Sequence, residues 1–365
     1  MVQEPRVSAV ILAAGMSTRM GALKQLLPLN GRTLLENVLE SVRKSRVDEV
    51  VLVLGFEANT IRDKIPLDRV KVVVNDAYRE GMGTSVRAGI EQVSPDADAT
   101  LVMLADQPFV KPESLDRLIH TYAEQKPQIV IPVYQGFRGN PVLLDRSVFP
   151  ELLNIGGDIG CRAIFGSHTE NILKVPVDDI GVLVDIDTQA DFQRFGRGDV
   201  ATPESADLAG SDVGAGPHLV LVGQEEVTYT LASLGRLMNF TVTAVDPFLT
   251  MEQIPAAHRV LHTLDLSRRP SMTDTFVVIA SRGRFDEEAV EQSLDGGAVY
   301  VALVANRKRA DEIRRGLEGR GMDAAKIARM HAPAGLAIGA VGPEEIALSI
   351  MAEIIAERRQ SHRTP

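Results

Sequence analysis

Short, unbroken apolar runs alternate with stretches of helical periodicity along this chain, and the alternation runs through twice. In the first half the strand-like runs are 7–13, 49–55 (EVVLVLG), 70–75 (VKVVVN), 99–105 (ATLVMLA) and 128–133. Between them Leu34, Leu35, Val38, Leu39 and Val42 recur at helical spacing, as do Val86, Ile90 and Val93. In the second half the runs are HLVLVG (218–223), FTVTAVD (240–246), TFVVIAS (275–281) and AVYVALVA (298–305). Helices are expected there near 226–238, 285–294, 306–320 and 343–359, the last opening on Pro343-Glu344-Glu345, a good first turn. Strands alternating with helices predict a parallel sheet covered by helices on both faces. The fold class expected is α/β: a mostly parallel, Rossmann-like sheet followed by a second α/β domain of the same kind.

The stretch 196–217, GRGDVATPESADLAGSDVGAGP, is rich in Gly, Ala, Ser, Asp and Pro and poor in large apolar residues, as a flexible linker is. It separates expected domains at 1–195 and 218–365, and 365 residues suffice for two cores. The halves show no convincing sequence repeat. A formal net charge of −10 argues against a general nucleic-acid binder. Any anionic ligand must therefore be met by local cations and backbone dipoles. The single cysteine, Cys161, leaves no internal disulfide and no Cys-rich zinc site, and the seven histidines show no paired ligand spacing. Met1 to Arg6 lack a basic start followed by an apolar run, and no stretch is long and apolar enough to span a bilayer. No secretory leader and no membrane partner are expected, and a cytoplasmic location is.

Chemistry concentrates where the first strand ends. LAAGMSTRMGALKQL (12–26) holds Gly15, Gly21, Arg19 and Lys24 directly after a buried strand. Small residues let backbone N–H groups approach phosphate oxygens, and two cations neutralise charge building on a leaving phosphate. The spacing is not that of a P-loop and reads instead as the signature loop of a nucleotidyltransferase. Ligands of such sheets bind at the carboxyl ends of strands, where this loop falls. Lys24, nine residues past Gly15, is far enough to fold back over bound phosphates.

Asp106, in LADQP at the end of another apolar run, is placed to hold Mg²⁺ over the crevice. The alternative for it is a cap on the helix starting near Pro112. In VDIDT (184–188), strand alternation would put Asp185 and Asp187 on one face, although Asp187-Thr188 also suits a helix cap. Asn75 and the segment Glu80 to Ser85 place Gly81 and Gly83 at a helix entrance, where N–H groups are exposed to a base or phosphate, or where the chain simply turns. GFRGNP (136–141) and GGDIGCR (156–162) are glycine loops with one arginine each, suited to a second substrate but weak signals alone.

Six motifs in order make the first half specific: LAAGMSTRMGALKQLLPLNGRTLL, NDAYREGMGTSVRAG, LADQPFV, GFRGNPVLLD, GGDIGCR and DIDTQADF. Residues 7–195 resemble the molybdenum cofactor nucleotidyltransferase family, especially its cytidylyltransferase branch. The resemblance implies transfer of CMP from CTP to molybdopterin with release of pyrophosphate. It implies that Leu12, Ala13, Ala14, Gly15 and Ser17, with Arg19 and Lys24, hold the nucleotide. It further implies that Asn75, Gly83 and Ser85 lie near that nucleotide, and that Asp106 and Asp187 carry Mg²⁺, with Mn²⁺ an acceptable substitute. Arg138, Gly139, Asn140, Pro141, Asp158 and Gly160 would face the pterin. Ala14, where guanylyltransferase relatives tend to carry glycine, favours cytidine. Cys161 stands where relatives often have alanine and has no evident chemical role. The other readings are a nucleotidyltransferase using GTP or a sugar phosphate, and a non-catalytic carrier of the cofactor.

The second half carries Tyr300 to Arg309 (YVALVANRKR) and the run APAGLAIGAVGPEEIALSIMAEIIAERR (332–359). These resemble the Rossmann-like domain of xanthine dehydrogenase accessory proteins, the XdhC type, which implies cofactor binding and handover to a molybdenum hydroxylase apoenzyme. The loop after its first strand, Gly223-Gln224-Glu225-Glu226, departs from a dinucleotide loop: the later glycines are missing and two glutamates would repel a pyrophosphate. Asp246 matches a ribose-binding acid in position, or simply ends a strand before Pro247. Arg307, Lys308 and Arg309 would meet a phosphate or form a solvated helix start.

Overall fold

The computed structural model describes residues 4–17, 20–158, 160–196, 217–266 and 274–361. The chain divides into two compact units, and the main division falls within 197–216, outside the described residues, as does nearly all of the expected linker 196–217.

The first unit is built on a sheet with strands in the order Ile172–Pro176, Ile129–Tyr134, Val142–Asp145, Ala99–Leu104, Val7–Ala13, Glu49–Leu54 and Val70–Val74. The last four run parallel, in a register that sets Leu12 beside both Val53 and Leu104. Val7–Ala13 is buried along its whole length, which is why it reads as an unbroken apolar run. Two strands of this order lie outside the expected set, as does the two-residue strand Phe137–Arg138, which pairs with Ile129–Tyr134. Val142–Asp145 is four residues long and antiparallel to both neighbours, too short to give a periodic signal. Ile172–Pro176 is an edge strand that carries Lys174 and Pro176, as edges tolerate.

The helix Leu34–Lys44 starts at a capping box: the Thr33 hydroxyl accepts the Glu36 N–H, and the Glu36 carboxylate accepts the Thr33 N–H. Its buried face is the set Leu34, Leu35, Val38, Leu39 and Val42. Helices Met82–Ile90 and Pro112–Gln125 follow the third and fourth of the expected strands.

The second unit has a six-stranded, wholly parallel sheet in the order Arg259–Leu261, Thr241–Val245, His218–Val222, Thr275–Ile279, Tyr300–Leu303 and Met330–His331. In chain order that is the doubly wound Rossmann arrangement, reversing direction between His218–Val222 and Thr275–Ile279. Helices Glu226–Leu237, Asp286–Asp295, Arg307–Gly319 and Pro343–Ser361 follow the expected spans closely. The last buries Ala347, Ile350, Met351 and Ile354 in the core. Among the described residues no helix is long and apolar enough to cross a membrane.

Candidate active site

Four of the expected site segments leave the sheet on one edge. Ala14 and Gly15 follow Val7–Ala13, Asn75 follows Val70–Val74, Asp106 follows Ala99–Leu104, and Arg138 to Pro141 follow Ile129–Tyr134. Leu12 and Ala13 are themselves strand residues with buried side chains. Past the strand, a Cβ at Gly15 would meet nothing within 4 Å, so the protein's own packing does not demand glycine there. Ser17 adopts a positive φ of 52°, and its hydroxyl accepts the Lys24 N–H at 3.3 Å. Arg19 lies outside the described residues.

Lys24 is the centre of the arrangement. Its ammonium donates to Asp106 Oδ2 and, at 2.8 Å, to Asp187 Oδ1. The Lys24 and Asp106 side chains are 16% and 14% exposed and that of Asp187 37%, so the cluster opens to solvent on the Asp187 side. Burial alone would lower the pKa of the ammonium, but the two carboxylates more than reverse this and hold it charged. For Asp106, burial pushes the carboxyl above its ordinary range; Lys24 opposes the rise and the charge of Asp187 adds to it. Asp106 Oδ1 is buried and has no hydrogen-bond partner. Asp106 is not a cap on the helix Pro112–Gln125, whose N-cap is Lys111.

The segment 184–188 is not the strand that its alternation suggests. Residues Ile180–Leu183 form a 3₁₀ turn opened by Asp179, whose carboxylate accepts the Gly181 N–H. The chain then runs past Asp106, linked to it by the Ile186 N–H donating to the Asp106 carbonyl at 2.9 Å. Asp185 and Asp187 therefore take different partners: Asp187 receives Lys24, and Asp185 accepts from the Gln107 amide. Thr188 caps the helix Gln189–Phe195 in a second capping box with Asp191.

Two glutamines do work that motif reading missed. Gln25, fully buried, donates its amide to the carbonyls of Ala13 at 2.9 Å and Gly15 at 3.3 Å, tying both ends of the loop. Gln107 holds Asp185. The available signal was position, since each is the polar neighbour of a charged site residue and sits among apolar ones.

Asn75 and Ser85 are buried and bonded to each other: the Asn75 amide donates to Ser85 Oγ at 3.0 Å and to Thr84 Oγ1 at 2.9 Å, and its carbonyl accepts the Ala77 N–H. They brace the entrance of the helix Met82–Ile90. Gly83 departs from the expectation that its N–H is free for an anion, because it donates to the Gly157 carbonyl at 2.8 Å. Close backbone approach explains the glycines instead. A Cβ at Gly83 would stand 2.9 Å from Gly156 Cα, and one at Gly81, where φ is +115°, 2.5 Å from the Gly157 carbonyl carbon and 2.8 Å from Asp158 Oδ1. Asp158 and Gly160 thus sit against this helix entrance.

Arg138 lies with its guanidinium 4.5 Å from the Phe165 ring centroid. Asn140 donates its N–H to the Val182 carbonyl at 2.9 Å, and a Cβ at Gly139 would meet that same carbonyl at 2.5 Å. The 138–141 loop is therefore seated on the turn that leads to Asp187. Cys161 is a core residue, packed with Ile164 and Phe165.

In the second unit, a Cβ at Gly223 would stand 2.1 Å from the Ala280 carbonyl, which accounts for this glycine without a ligand. Glu225, the N-cap of Glu226–Leu237, is paired with Arg282 at 2.5 Å. Asp246 is wholly buried, paired with Arg284 at 3.3 Å, and accepts the Phe248 N–H, so it serves its own turn rather than a ribose. Arg309 is held by Asp286, Glu287 and Glu312, while Arg307 and Lys308 are exposed.

The chain matches the MobA-like NTP transferase domain family over residues 9–172 and the XdhC Rossmann domain family over 219–354. Nicotine blue oxidoreductase of Paenarthrobacter nicotinovorans is 30% identical over 200 residues, which make up 52% of this chain and 97% of that protein. Molybdenum cofactor cytidylyltransferase of Escherichia coli (strain K12) is 23% identical over 189 residues, 51% of this chain and 93% of that protein. Among solved structures, Rv0371c from Mycobacterium tuberculosis H37Rv superposes with a TM-score of 0.50 at 33% identity, covering 53% of this chain and 98% of that one.

Proposed function

The chain belongs to the MobA-like NTP transferase family, with an XdhC Rossmann domain as its second unit, and from that premise we propose that it transfers CMP from CTP to molybdopterin. A terminal phosphate oxygen of molybdopterin bonds to the α-phosphorus of CTP, the bond from that phosphorus to the β-phosphate bridge breaks, and pyrophosphate leaves. The nucleophile is already an anion, so no protein base is required. Rate comes from alignment and charge neutralisation.

The observation that carries this reading is the Lys24 ammonium shared by Asp106 and Asp187 beside the Gly15 loop. Two carboxylates converging on one cation position, with Asp106 Oδ1 buried and unpartnered, form a hard oxygen donor set that fits Mg²⁺ or Mn²⁺. Such an ion, held by Asp106 and Asp187, would supply Lewis-acid stabilisation of the phosphoryl oxygens. Among the described residues no group of three or more His, Cys, Asp or Glu could hold a metal ion, so an ion on these two acids would take its remaining ligands from water and substrate phosphate. Lys24, with Arg19, neutralises the departing pyrophosphate. Gly15 leaves room for the triphosphate, and Gln25 fixes the loop that receives it. Asn75 and Ser85 keep the Gly81–Gly83 entrance in place on the nucleotide side, while Arg138 to Pro141, Asp158 and Gly160 form the pterin side.

The second unit receives the product and passes it to a molybdenum hydroxylase apoenzyme, tethering giving a labile product a high effective concentration. The 30% identical nicotine blue oxidoreductase favours a second reading, an oxidoreductase. The paired Glu225 and Arg282 at the entrance where a dinucleotide pyrophosphate would lie weigh against a nicotinamide cofactor in the second unit.

The test is pyrophosphate release with molybdenum-loaded molybdopterin, Mg²⁺ and either CTP or GTP. Release with CTP, abolished in Lys24→Ala and in Asp106→Ala, supports the reading. Release with GTP alone changes the nucleotide and keeps the reaction class. Tight cofactor binding with no release from either nucleotide makes the protein a carrier.

A further inference from the structure

The helix Pro343–Ser361 is apolar on two sides, and the fold uses only one of them. Ala347, Ile350, Met351 and Ile354 are wholly buried in the second unit's core. On the far side Leu348 is 52% exposed and Ile355 36%. The exposed residues, with the half-buried Ala352 among them, are also ordered along the helix. Glu345, Leu348, Ala352, Ile355 and Arg359 recur at alternating steps of three and four, the spacing of a helix–helix seam.

The ends of that seam carry opposite charge. Glu344 and Glu345 occupy its first turn and Arg359 its last, all three exposed, with the small Ala352 midway. The pattern is therefore complementary to itself when reversed. Two copies laid antiparallel about Ala352 set Leu348 of each against Ile355 of the other, and the glutamates of each against Arg359 of the other. Such a contact is isologous and closes on two chains. Ala352 at the crossing lets the two backbones approach to helix-packing distance.

We propose that this face is the docking surface for a second copy of the chain, giving a two-fold dimer through the helix Pro343–Ser361. No other occupant is called for by a pattern that satisfies both its apolar centre and its charged ends with itself.

Sedimentation equilibrium of the full chain tests it. The wild type sediments at twice the chain mass, and Leu348→Glu combined with Ile355→Glu weakens dimerisation by about 100-fold or more. Both side chains are exposed in the single chain, so the far-UV circular dichroism of the variant stays unchanged, while its thermal midpoint loses the dependence on protein concentration that the wild type shows. Arg359→Glu weakens the dimer, and adding Glu344→Arg in the same chain restores it. Ala352→Cys forms a covalent dimer under mild oxidation, whereas Leu348→Cys does not, because two such residues lie about 12 Å apart across the axis, beyond disulfide reach. The native Cys161 is buried and does not compete. A monomeric wild type, a dimer indifferent to the glutamate pair, or equal cross-linking at 348 and 352 would each overturn the proposal.

Discussion

Lys24 is held where two carboxylates of separate segments meet, and its removal leaves those two acids facing each other. Lys24→Ala should lower turnover by on the order of 100-fold or more, the usual size of losing one stabiliser of transition-state charge, measured as pyrophosphate release. Lys24→Arg should not restore it, because a planar fork cannot occupy a site shaped for a point charge. Gly81→Ala tests the packing of the two glycine loops. With φ at +115° and backbone 2.5 Å from the new Cβ, it should cost about 2 kcal/mol or more, read as a lowered urea midpoint. At Cys161, burial pushes the thiol from its ordinary 9.0 up to about 12. The folded chain should therefore resist thiol reagents at pH 8 and react after denaturation. This neutral thiol stabilises the fold fully below pH 9.0, and that contribution is lost as pH rises from there toward 12.

Among the elements, those with a periodic signal were legible from residues alone. Helix Leu34–Lys44 showed both its apolar face and its start, and Thr33→Ala should remove about 1 kcal/mol from the stability by unmaking the capping box, measurable by denaturant titration. Val7–Ala13 and its parallel neighbours were legible because burial on both faces leaves no polar alternation to confuse them. Val142–Asp145 was not, since four residues after Pro141 carry no period and their pairing is decided by distant strands. The 184–188 segment misled for the opposite reason. Its alternation is real, but its backbone joins no ladder: the Ile186 N–H donates to the Asp106 carbonyl, and its carboxylates accept from Lys24 and Gln107. Lys24, Asp106 and Asp187 were named from sequence and the fold brings the three together, whereas Gln25 showed only a weak signal, its position beside Lys24 among apolar residues.

At the scale of the whole molecule the two sheets share no strand, and each is complete within its own half of the chain. Residues 1–196 and 217–365 expressed separately should each unfold in a single cooperative urea transition, with pyrophosphate release confined to the first. A lone half that fails to fold would show that the unit boundary lies elsewhere. The place of Val142–Asp145, between Ala99–Leu104 and Ile129–Tyr134, bears on how the first half is made. Both flanking strands leave the ribosome before the one that joins them. A nascent chain halted between them and residue 145 carries two unclosed strand borders, each a template for another such chain. Synthesis order and assembly order differ here: an interior strand of the sheet is the keystone, and it is set after both of its neighbours.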